Sequence, residues 1–361
     1  MLVYKADIDI RITPEMSSQM QTMERPTKVD RIPALDFTKG ALVLIMVLYH
    51  WINYFIGPNW AYYRYLRFLT PSFIFVSGFL ISNVYLSRFR ATDPRLWRRL
   101  FTRGLKLLAL FVVLNVTRSF LLPRLSTSSI MADQLGWKSI VAVFVSGNVI
   151  TTTGKAVAFY ILVPISYLLL LSAGLLQPYR FYKYTFHAVS VFFLLCILVL
   201  DLNGISSPNL EFVTIGLLGM LAGFFSSEKV NSYVRHPYML AAAYACYVIA
   251  ISVWNVPFPL LAVGAALSVG AIYLLGLSGH ATSRTRRHII LLGKYSLLGY
   301  VAQIAILQAL SAGLRHTYLG NAVLGMSFVA AFGLTMITVE AADRIKARSM
   351  IMDRLYRAVF A

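Results

Sequence analysis

The chain has 361 residues, of which 58% are hydrophobic and only 13% are charged. Soluble domains are typically about one-quarter charged, so this composition excludes an ordinary soluble protein and indicates an integral membrane protein. The net charge of +19 would suit nucleic-acid binding in a soluble protein. Here the basic residues gather in alternate loops, the pattern that orients a membrane protein, so we expect a lipid bilayer and no nucleic acid as partner.

The N-terminal residues 1–30 are polar and show no periodicity, which predicts a flexible cytoplasmic tail. No apolar signal-peptide core precedes Pro33, and methionines at positions 16, 20 and 23 leave the true start open. The two cysteines lie within apolar runs and indicate neither a disulfide framework nor a metal site.

Ten apolar stretches predict membrane-spanning helices. Their approximate ranges are 36–56, 66–86, 105–122, 156–176, 185–202, 212–225, 237–254, 258–277, 288–310 and 320–342. The predicted fold class is therefore an all-α polytopic membrane bundle of about ten transmembrane helices, with the N- and C-termini cytoplasmic by the charge bias.

The first predicted helix carries ionisable groups at Asp36, Lys39 and His50 on roughly one face. Lys39 lies at the membrane edge, and His50 lies about 16 Å farther along the helix. An ionisable side chain inside a membrane is costly, so His50 is a candidate functional residue. The alternative is a histidine that only packs against a neighbouring helix. Asn53 and Tyr54 follow within the next turn and are candidates for substrate binding.

The second predicted helix contains Ser77 and Gly78, small residues that allow another helix to approach closely. Ser77 is also a candidate for substrate binding, because its hydroxyl would lie near the first helix. Packing alone remains the alternative explanation of this pair.

Residues 88–106 carry seven basic side chains in nineteen positions. Such a cluster anchors a cytoplasmic loop by the positive-inside rule, but it also suits binding of phosphate groups. The seven are Arg88, Arg90, Arg95, Arg98, Arg99, Arg103 and Lys106.

Four further features complete the pattern. Residues 139–150 are apolar but too short to cross a bilayer, which predicts an interfacial or re-entrant piece on the outer side. Pro164 predicts a kink in the fourth helix, and the Gly219-x-x-x-Gly223 spacing in the sixth predicts close packing. Residues 343–361 alternate apolar and basic side chains, which predicts an amphipathic segment for the membrane surface.

Three stretches resemble the acyltransferase-3 superfamily of integral membrane acyltransferases, and are similar to glucan succinyltransferases and heparan-α-glucosaminide N-acetyltransferase-like proteins. They are Leu35-Asp36-Phe37-Thr38-Lys39-Gly40 with His50, the Phe-rich segment ending in Ser77-Gly78-Phe79, and Leu292-Gly293-Lys294-Tyr295-Ser296 with Tyr300. Two positions depart from the family pattern. Lys39 replaces an arginine, which loses the bidentate fork but keeps the charge, and Gln303 stands where a histidine is frequent.

The resemblance implies that residues 31–342 form an acyltransferase domain of the inner (plasma) membrane. The implied reaction moves an acyl group, acetyl or succinyl, from a cytoplasmic acyl-CoA to a hydroxyl of a glycan, lipid or exported polysaccharide. Acyl-CoA is then a co-substrate, and no tightly bound cofactor or metal is implied. His50 and Lys39 would be catalytic with Asp36 beside them, and Arg98, Arg99, Arg103 and Lys39 would bind the donor.

Two other functions fit the same residues. A proton-coupled transporter would also have a buried histidine and a basic mouth. A transporter built from inverted halves would show matching broken helices, and this sequence shows none. A catalytically silent scaffold in a polysaccharide-synthesis complex would tolerate the changes at Lys39 and Gln303. For the enzyme, His50 could act as a general base in direct transfer or as a transiently acylated relay, and the sequence does not choose between these.

Overall fold

The computed structural model of the protein describes residues 32–57, 63–87, 89, 93–125, 142–145, 147, 158–225, 236–254, 257–278, 283–314 and 320–360. The predicted tail at 1–30, Arg88 and Arg90 lie outside these ranges. The described residues form α-helices, with short 3₁₀ and π-helical pieces, and contain no strand.

The described residues contain twelve helices of eleven or more residues. They are α1 (Pro33–Phe55), α2 (Leu69–Leu80), α3 (Pro94–Leu125), α4 (Leu162–Tyr179), α5 (Thr185–Leu202), α6 (Pro208–Gly223), α7 (Pro237–Val253), α8 (Phe258–Ser278), α9 (Arg284–Lys294), α10 (Ser296–Gly313), α11 (Asn321–Arg348) and α12 (Met350–Phe360). A 3₁₀ turn at Tyr63–Leu66 precedes α2, and α2 continues as a π-helix over Ile81–Leu86.

Eight spans in the described part of the chain are long and apolar enough to cross a membrane. They involve α1, α2 with its flanking turns, α3, α4, α5, α8, α10 and α11. The predicted sixth and seventh spans correspond to α6 and α7, which are equally apolar in character but shorter. The predicted all-α, polytopic membrane bundle is therefore confirmed.

Several predicted bounds were wrong. α3 begins at Pro94 rather than near residue 105, so Arg95, Arg98, Arg99, Arg103 and Lys106 lie on a helix and not in a loop. Proline suits a first helical position, and the charged residues that follow form an exposed face of an amphipathic helix, which continues beyond the apolar part. The predicted ninth helix divides at Tyr295 into α9 and α10.

The observed bounds of two other helices also differ from the predicted ones. α4 begins at Leu162, so Pro164 lies in its first turn, where proline removes no helical hydrogen bond and causes no kink. α11 continues past Ala342 to Arg348, and α12 follows after Ser349, within the same compact unit as the other helices.

α1 lies at the centre of one part of the bundle, where it packs against α2, α8, α9, α10 and α11. The closest approach is to α9, because both helices have a glycine at the crossing. A methyl group at Gly293 would overlap the carbonyl oxygen of Asp36, and one at Gly40 would overlap the carbonyl oxygen of Ile289. This crossing fixes Lys39 and Lys294 on neighbouring helices.

α2 packs against α6 in the same way. A methyl group at Gly219 would overlap the backbone of Phe75, and one at Gly223 would overlap the Ser82 hydroxyl and approach the backbone of Phe79. Gly78 makes the reciprocal approach to the backbone of α6. The close packing predicted from the glycine spacing is confirmed, and it positions the face of α2 that carries Ser77.

Part of the predicted interfacial piece is described at residues 142–145 and 147, where 142–145 form a helical turn. Asn209 holds it in place, because its amide donates to the carbonyl oxygens of Val143 at 2.9 Å and Phe144 at 3.0 Å. Tyr160 in turn donates to the side-chain oxygen of Asn209 at 2.7 Å. This short piece therefore packs against the start of α6.

Candidate functional site

A cavity of about 190 Å³ lies among α1, the two parts of α2, α3, α4, α9, α10 and α12. Each of these helices contributes to its wall, so the cavity exists only when residues far apart in sequence come together. The polar residues that line it are Lys39, Ser77, Tyr85, Arg103, Lys294, Ser296, Tyr300 and Tyr356.

The two ends of the cavity differ in polarity and exposure. Arg103 is exposed, and the side chains of Lys39 and Lys294 are 20% and 34% exposed, so the basic end is open. Leu162 and Leu169 on α4, which line the other part of the cavity, are buried. The cavity is therefore suited to a ligand with an anionic head and an uncharged, narrow tail.

The two lysines already have carboxylate partners. Lys39 forms an ion pair with Asp36 at 2.5 Å, and Lys294 forms one with Asp343 at 2.8 Å. The carboxylate of Asp343 also accepts a hydrogen bond from the Tyr295 hydroxyl at 2.6 Å, at the break between α9 and α10. The two pairs hold the ammonium groups in place and partly neutralise them.

Arg103 is in a different position. Its guanidinium donates to the Tyr85 hydroxyl at 2.9 Å, and it has no carboxylate partner within 4 Å in the described part of the chain. Arg103 is therefore the cavity cation whose charge remains available to an anion.

The other two arginines predicted to bind the donor do not line the cavity. Arg98 and Arg99 are exposed on α3, and the guanidinium of Arg99 lies 5.6 Å from the centre of the Tyr85 ring. The structure thus places Arg103 and Lys39 on the wall of one cavity and leaves Arg98 and Arg99 exposed outside it.

His50 also does not line the cavity, although it lies close to a residue that does. Its ring centre is 6.4 Å from that of Tyr300, and 5.1 Å from that of Tyr49. Its Nε2 atom is buried and has no hydrogen-bond partner among the described residues. Tyr300 therefore connects the inner part of the cavity with an imidazole nitrogen that is not otherwise engaged.

A turn at residues 158–161 completes the inner wall. Phe159 has a φ angle of 61°, in the left-handed region that residues other than glycine rarely adopt. Its ring meets that of Tyr300 edge to face at 6.0 Å, and it is buried. Backbone conformations of this kind occur frequently at functional sites, where the surrounding packing holds them in place.

The remaining predicted substrate-binding residues are dispersed. Ser77 lines the cavity, and its hydroxyl donates to the carbonyl oxygen of Phe73 at 2.8 Å. Asn53 has a buried Oδ1 atom without a hydrogen-bond partner in the described residues, and lies beyond His50 on α1. Tyr54 packs against the cluster of Val47 and residues from α10 and α11. The structure therefore does not bring these three residues to one point.

The C-terminal helix α12 covers part of the open end. Tyr356 and Phe360 line the cavity, and the Tyr356 ring packs on that of Tyr295 with their centres 5.1 Å apart. The ammonium group of Lys346 lies 4.5 Å from the centre of the Tyr356 ring. The sequence predicted α12 only as a surface segment, so its contribution to the site was missed.

Tyr85, Lys294 and Tyr300 were also missed as site residues. Lys294 and Tyr300 belong to the third stretch of family resemblance, which was a usable signal, whereas Tyr85 follows an ordinary apolar run. In the described part of the chain no group of three or more His, Cys, Asp or Glu side chains could hold a metal ion. No family model, curated protein or solved structure matches this chain.

Proposed function

We propose that the protein is a membrane-embedded acyltransferase that moves an acetyl or succinyl group from acyl-CoA to a hydroxyl group. The observation that carries this proposal is the cavity itself, with Arg103, Lys39 and Lys294 at its open end and Tyr300, in contact with His50, at its inner part. The motif resemblance of these helices to the acyltransferase-3 superfamily supports the same reaction. The further assignments to a glycan acceptor and to the inner membrane rest on that resemblance alone.

The shape of the cavity supports a coenzyme A thioester as donor. Its volume of about 190 Å³ is below the roughly 300–1,000 Å³ of pockets that enclose a drug-sized ligand. A space of this size accommodates only part of a coenzyme A thioester, so in this proposal the acyl end of the donor lies in the cavity and the nucleotide lies outside it. The nucleotide phosphates would then lie at Arg103 and extend over the exposed arginines of α3, where charge-assisted hydrogen bonds stabilise them.

In this proposal His50 is the catalytic residue. The acceptor oxygen attacks the thioester carbonyl carbon, its proton passes to Nε2 of His50, the carbon–sulfur bond breaks, and the proton then passes to the departing thiolate. An imidazole suits this role near neutral pH, because it can take up and release a proton. In the relay form of the mechanism, Nε2 of His50 attacks the thioester carbon, and the carbon–sulfur bond breaks to give an acyl-imidazole and the coenzyme A thiolate. The acceptor hydroxyl then attacks the acyl carbon, the carbon–nitrogen bond breaks, and the hydroxyl proton passes by way of the imidazole to the thiolate.

The proposal is tested with the full-length protein in lipid nanodiscs, using acetyl-CoA and succinyl-CoA as donors. Release of free thiol and transfer of a labelled acyl group to octyl-β-glucoside are measured together. His50→Ala should lower transfer by roughly 10²- to 10⁴-fold, the usual contribution of a general base. His187→Ala, a histidine on α5 that does not line the cavity, is the matched control and should keep the parent rate.

Three outcomes separate the candidate functions. Thiol release by the parent that is lost in His50→Ala supports the acyltransferase. A parent that consumes neither thioester refutes it and leaves the transporter or the scaffold. Activity of His50→Ala above about a tenth of the parent would remove His50 from the mechanism. Acid-quenched mass spectrometry of the enzyme distinguishes the relay, which accumulates an acyl-imidazole, from direct transfer.

A further inference from the structure

Gln303 on α10 is a buried amide with both of its polar atoms unpaired among the described residues. The residue is fully buried, at 0% exposure, and neither its Nε2 nor its Oε1 atom has a hydrogen-bond partner among the described residues. Buried polar side-chain atoms normally have partners, and an unpaired one costs free energy. Such an amide is available to form hydrogen bonds with a ligand from outside the chain.

The packing of α10 shows which way Gln303 faces. A methyl group at Gly299 would lie 3.3 Å from Cγ1 of Val43, and Leu307 packs in one cluster with Val47. Gln303 is four residues from both Gly299 and Leu307, so the three positions lie on one stripe of α10. The same stripe also contacts α11, because a methyl group at Gly299 would lie 3.7 Å from Cγ2 of Val339 and Ala331 belongs to the Leu307 cluster. It therefore faces α1 and α11, and Gln303 lies between its two levels of contact.

The same stripe approaches His50. Tyr300 precedes Gln303 by three residues and is thus its neighbour on the helix surface, and its ring is 6.4 Å from the His50 ring. The Nε2 atom of His50 and the Oδ1 atom of Asn53, both on α1, are further buried polar atoms without a partner in the described part of the chain. Gln303 lies on the stripe of α10 that packs against α1, and His50 lies on α1, so both residues belong to the packed region of α1 and α10 and each has a buried polar atom without a partner in the described residues.

The surroundings of this interface are uncharged. Residues 40–55 of α1, 296–313 of α10 and 321–339 of α11 contain no Asp, Glu, Lys or Arg, and His50 is their only histidine. An ammonium, carboxylate or phosphate would therefore be desolvated here without a counter-charge, which is costly. A neutral ligand with hydroxyl groups has no such cost.

We propose that Gln303 binds the acceptor through one hydroxyl group and thereby places a neighbouring hydroxyl at Nε2 of His50. A hydroxyl both donates and accepts, so it can donate to Oε1 while it accepts from the Nε2–H of the same amide. The inferred ligand is the uncharged, polyhydroxylated end of a sugar or glycerol derivative. This inference rests on the proposed acyl transfer, and it adds the residue that recognises the acceptor.

A pair of acceptors tests the assignment. Octyl-β-glucoside has several neighbouring hydroxyls, whereas 1-octanol has one and cannot use Gln303 and His50 together. With the full-length protein in nanodiscs and labelled acetyl-CoA, Gln303→Met should lower kcat/KM for octyl-β-glucoside by about 10- to 100-fold, the loss expected for one or two hydrogen bonds to a substrate. Transfer to 1-octanol should change less than about threefold, because this alcohol has no second hydroxyl that Gln303 could bind.

A stability measurement supplies a second readout. Methionine matches the length of glutamine and removes an unpaired buried amide, so the thermal midpoint of Gln303→Met should be equal to or above that of the parent. Gln308→Met is the matched control on the same helix, because Gln308 also has a buried Nε2 atom without a partner in the described residues but lies away from the Gly299–Gln303–Leu307 stripe. It should leave both acceptors unaffected. Gln303→Asn keeps the amide but shortens the side chain, and should show the same glucoside-specific loss if Gln303→Met does not fold.

The outcomes are distinct from those of the proposed function. A parent that uses neither thioester refutes the acyltransferase itself. An active parent whose Gln303 variants lose both acceptors equally, or lose neither, refutes the role of Gln303 alone. A lower thermal midpoint together with equal losses would assign Gln303 to packing, and a parent that acylates 1-octanol but not the glucoside would also overturn the inference.

Discussion

Arg103 provides the sharpest test of how the donor binds. Arg103→Gln removes the cavity cation that has no carboxylate partner in the described part of the chain, while it keeps a polar side chain. Arg98→Gln is the matched control, because Arg98 lies on the same helix and is exposed but does not line the cavity. The two variants change the net charge equally, so they separate a local contact from a general electrostatic effect.

The expected magnitude follows from the exposure of the group. A hydrogen bond to a charged partner contributes about 1.5–3 kcal/mol, and solvent screening at an exposed arginine favours the lower end of that range. A loss of about 1.4 kcal/mol corresponds to a tenfold change in binding. We therefore expect Arg103→Gln to raise the KM for acetyl-CoA by about tenfold with little change in kcat, and Arg98→Gln to raise it less than about threefold.

The assay is steady-state thiol release at several salt concentrations, with membrane abundance measured for each variant. The parent should lose donor affinity as the salt concentration rises, and Arg103→Gln should depend on salt less, because one screened contact is missing. Equal effects of the two substitutions would refute a specific contact at Arg103. An unchanged KM with reduced protein in the membrane would mean that the basic cluster only orients the chain.

Three further predictions concern packing, the cavity cover and topology. Gly293→Leu should lower the folded yield severely, because the side chain would overlap the Asp36 backbone. Gly325→Leu should be tolerated, because no atom lies within 4 Å of its Cβ position. The amount of protein that remains soluble in detergent after heating measures both effects. Tyr356→Ala should raise thioester hydrolysis without acceptor several-fold, because the ring covers the open end of the cavity; an unchanged hydrolysis rate would show that α12 does not exclude water. In a cysteine-free background, Ser206→Cys should react with an impermeant maleimide in intact cells and Thr285→Cys should not, and the reverse result would invert the predicted topology.

The helices were largely predictable because each depends on a local property of the chain. The bounds of α5 follow from an uninterrupted apolar run that ends at polar residues, and any such run in a bilayer must satisfy its backbone hydrogen bonds internally as a helix. The start of α3 was missed because its first turns are basic and lie outside the apolar span. The division at Tyr295 could not be predicted, because the residue that holds it, Asp343, lies 48 positions away.

The sequence by itself determined that this protein is a helical membrane bundle, and it identified Lys39, His50 and Arg103 as ionisable groups worth explaining. The tertiary structure decided which of them meet. Close glycine crossings bring α1 to α9 and α2 to α6, so that Lys39, Lys294 and Arg103 surround one cavity while Arg98 remains outside it. It also brought Tyr300 on α10 to His50 on α1, with their ring centres 6.4 Å apart. Apolar patterning predicts only that a segment is buried in lipid. The rotation and height of each helix are set by side-chain packing between segments that are distant in sequence.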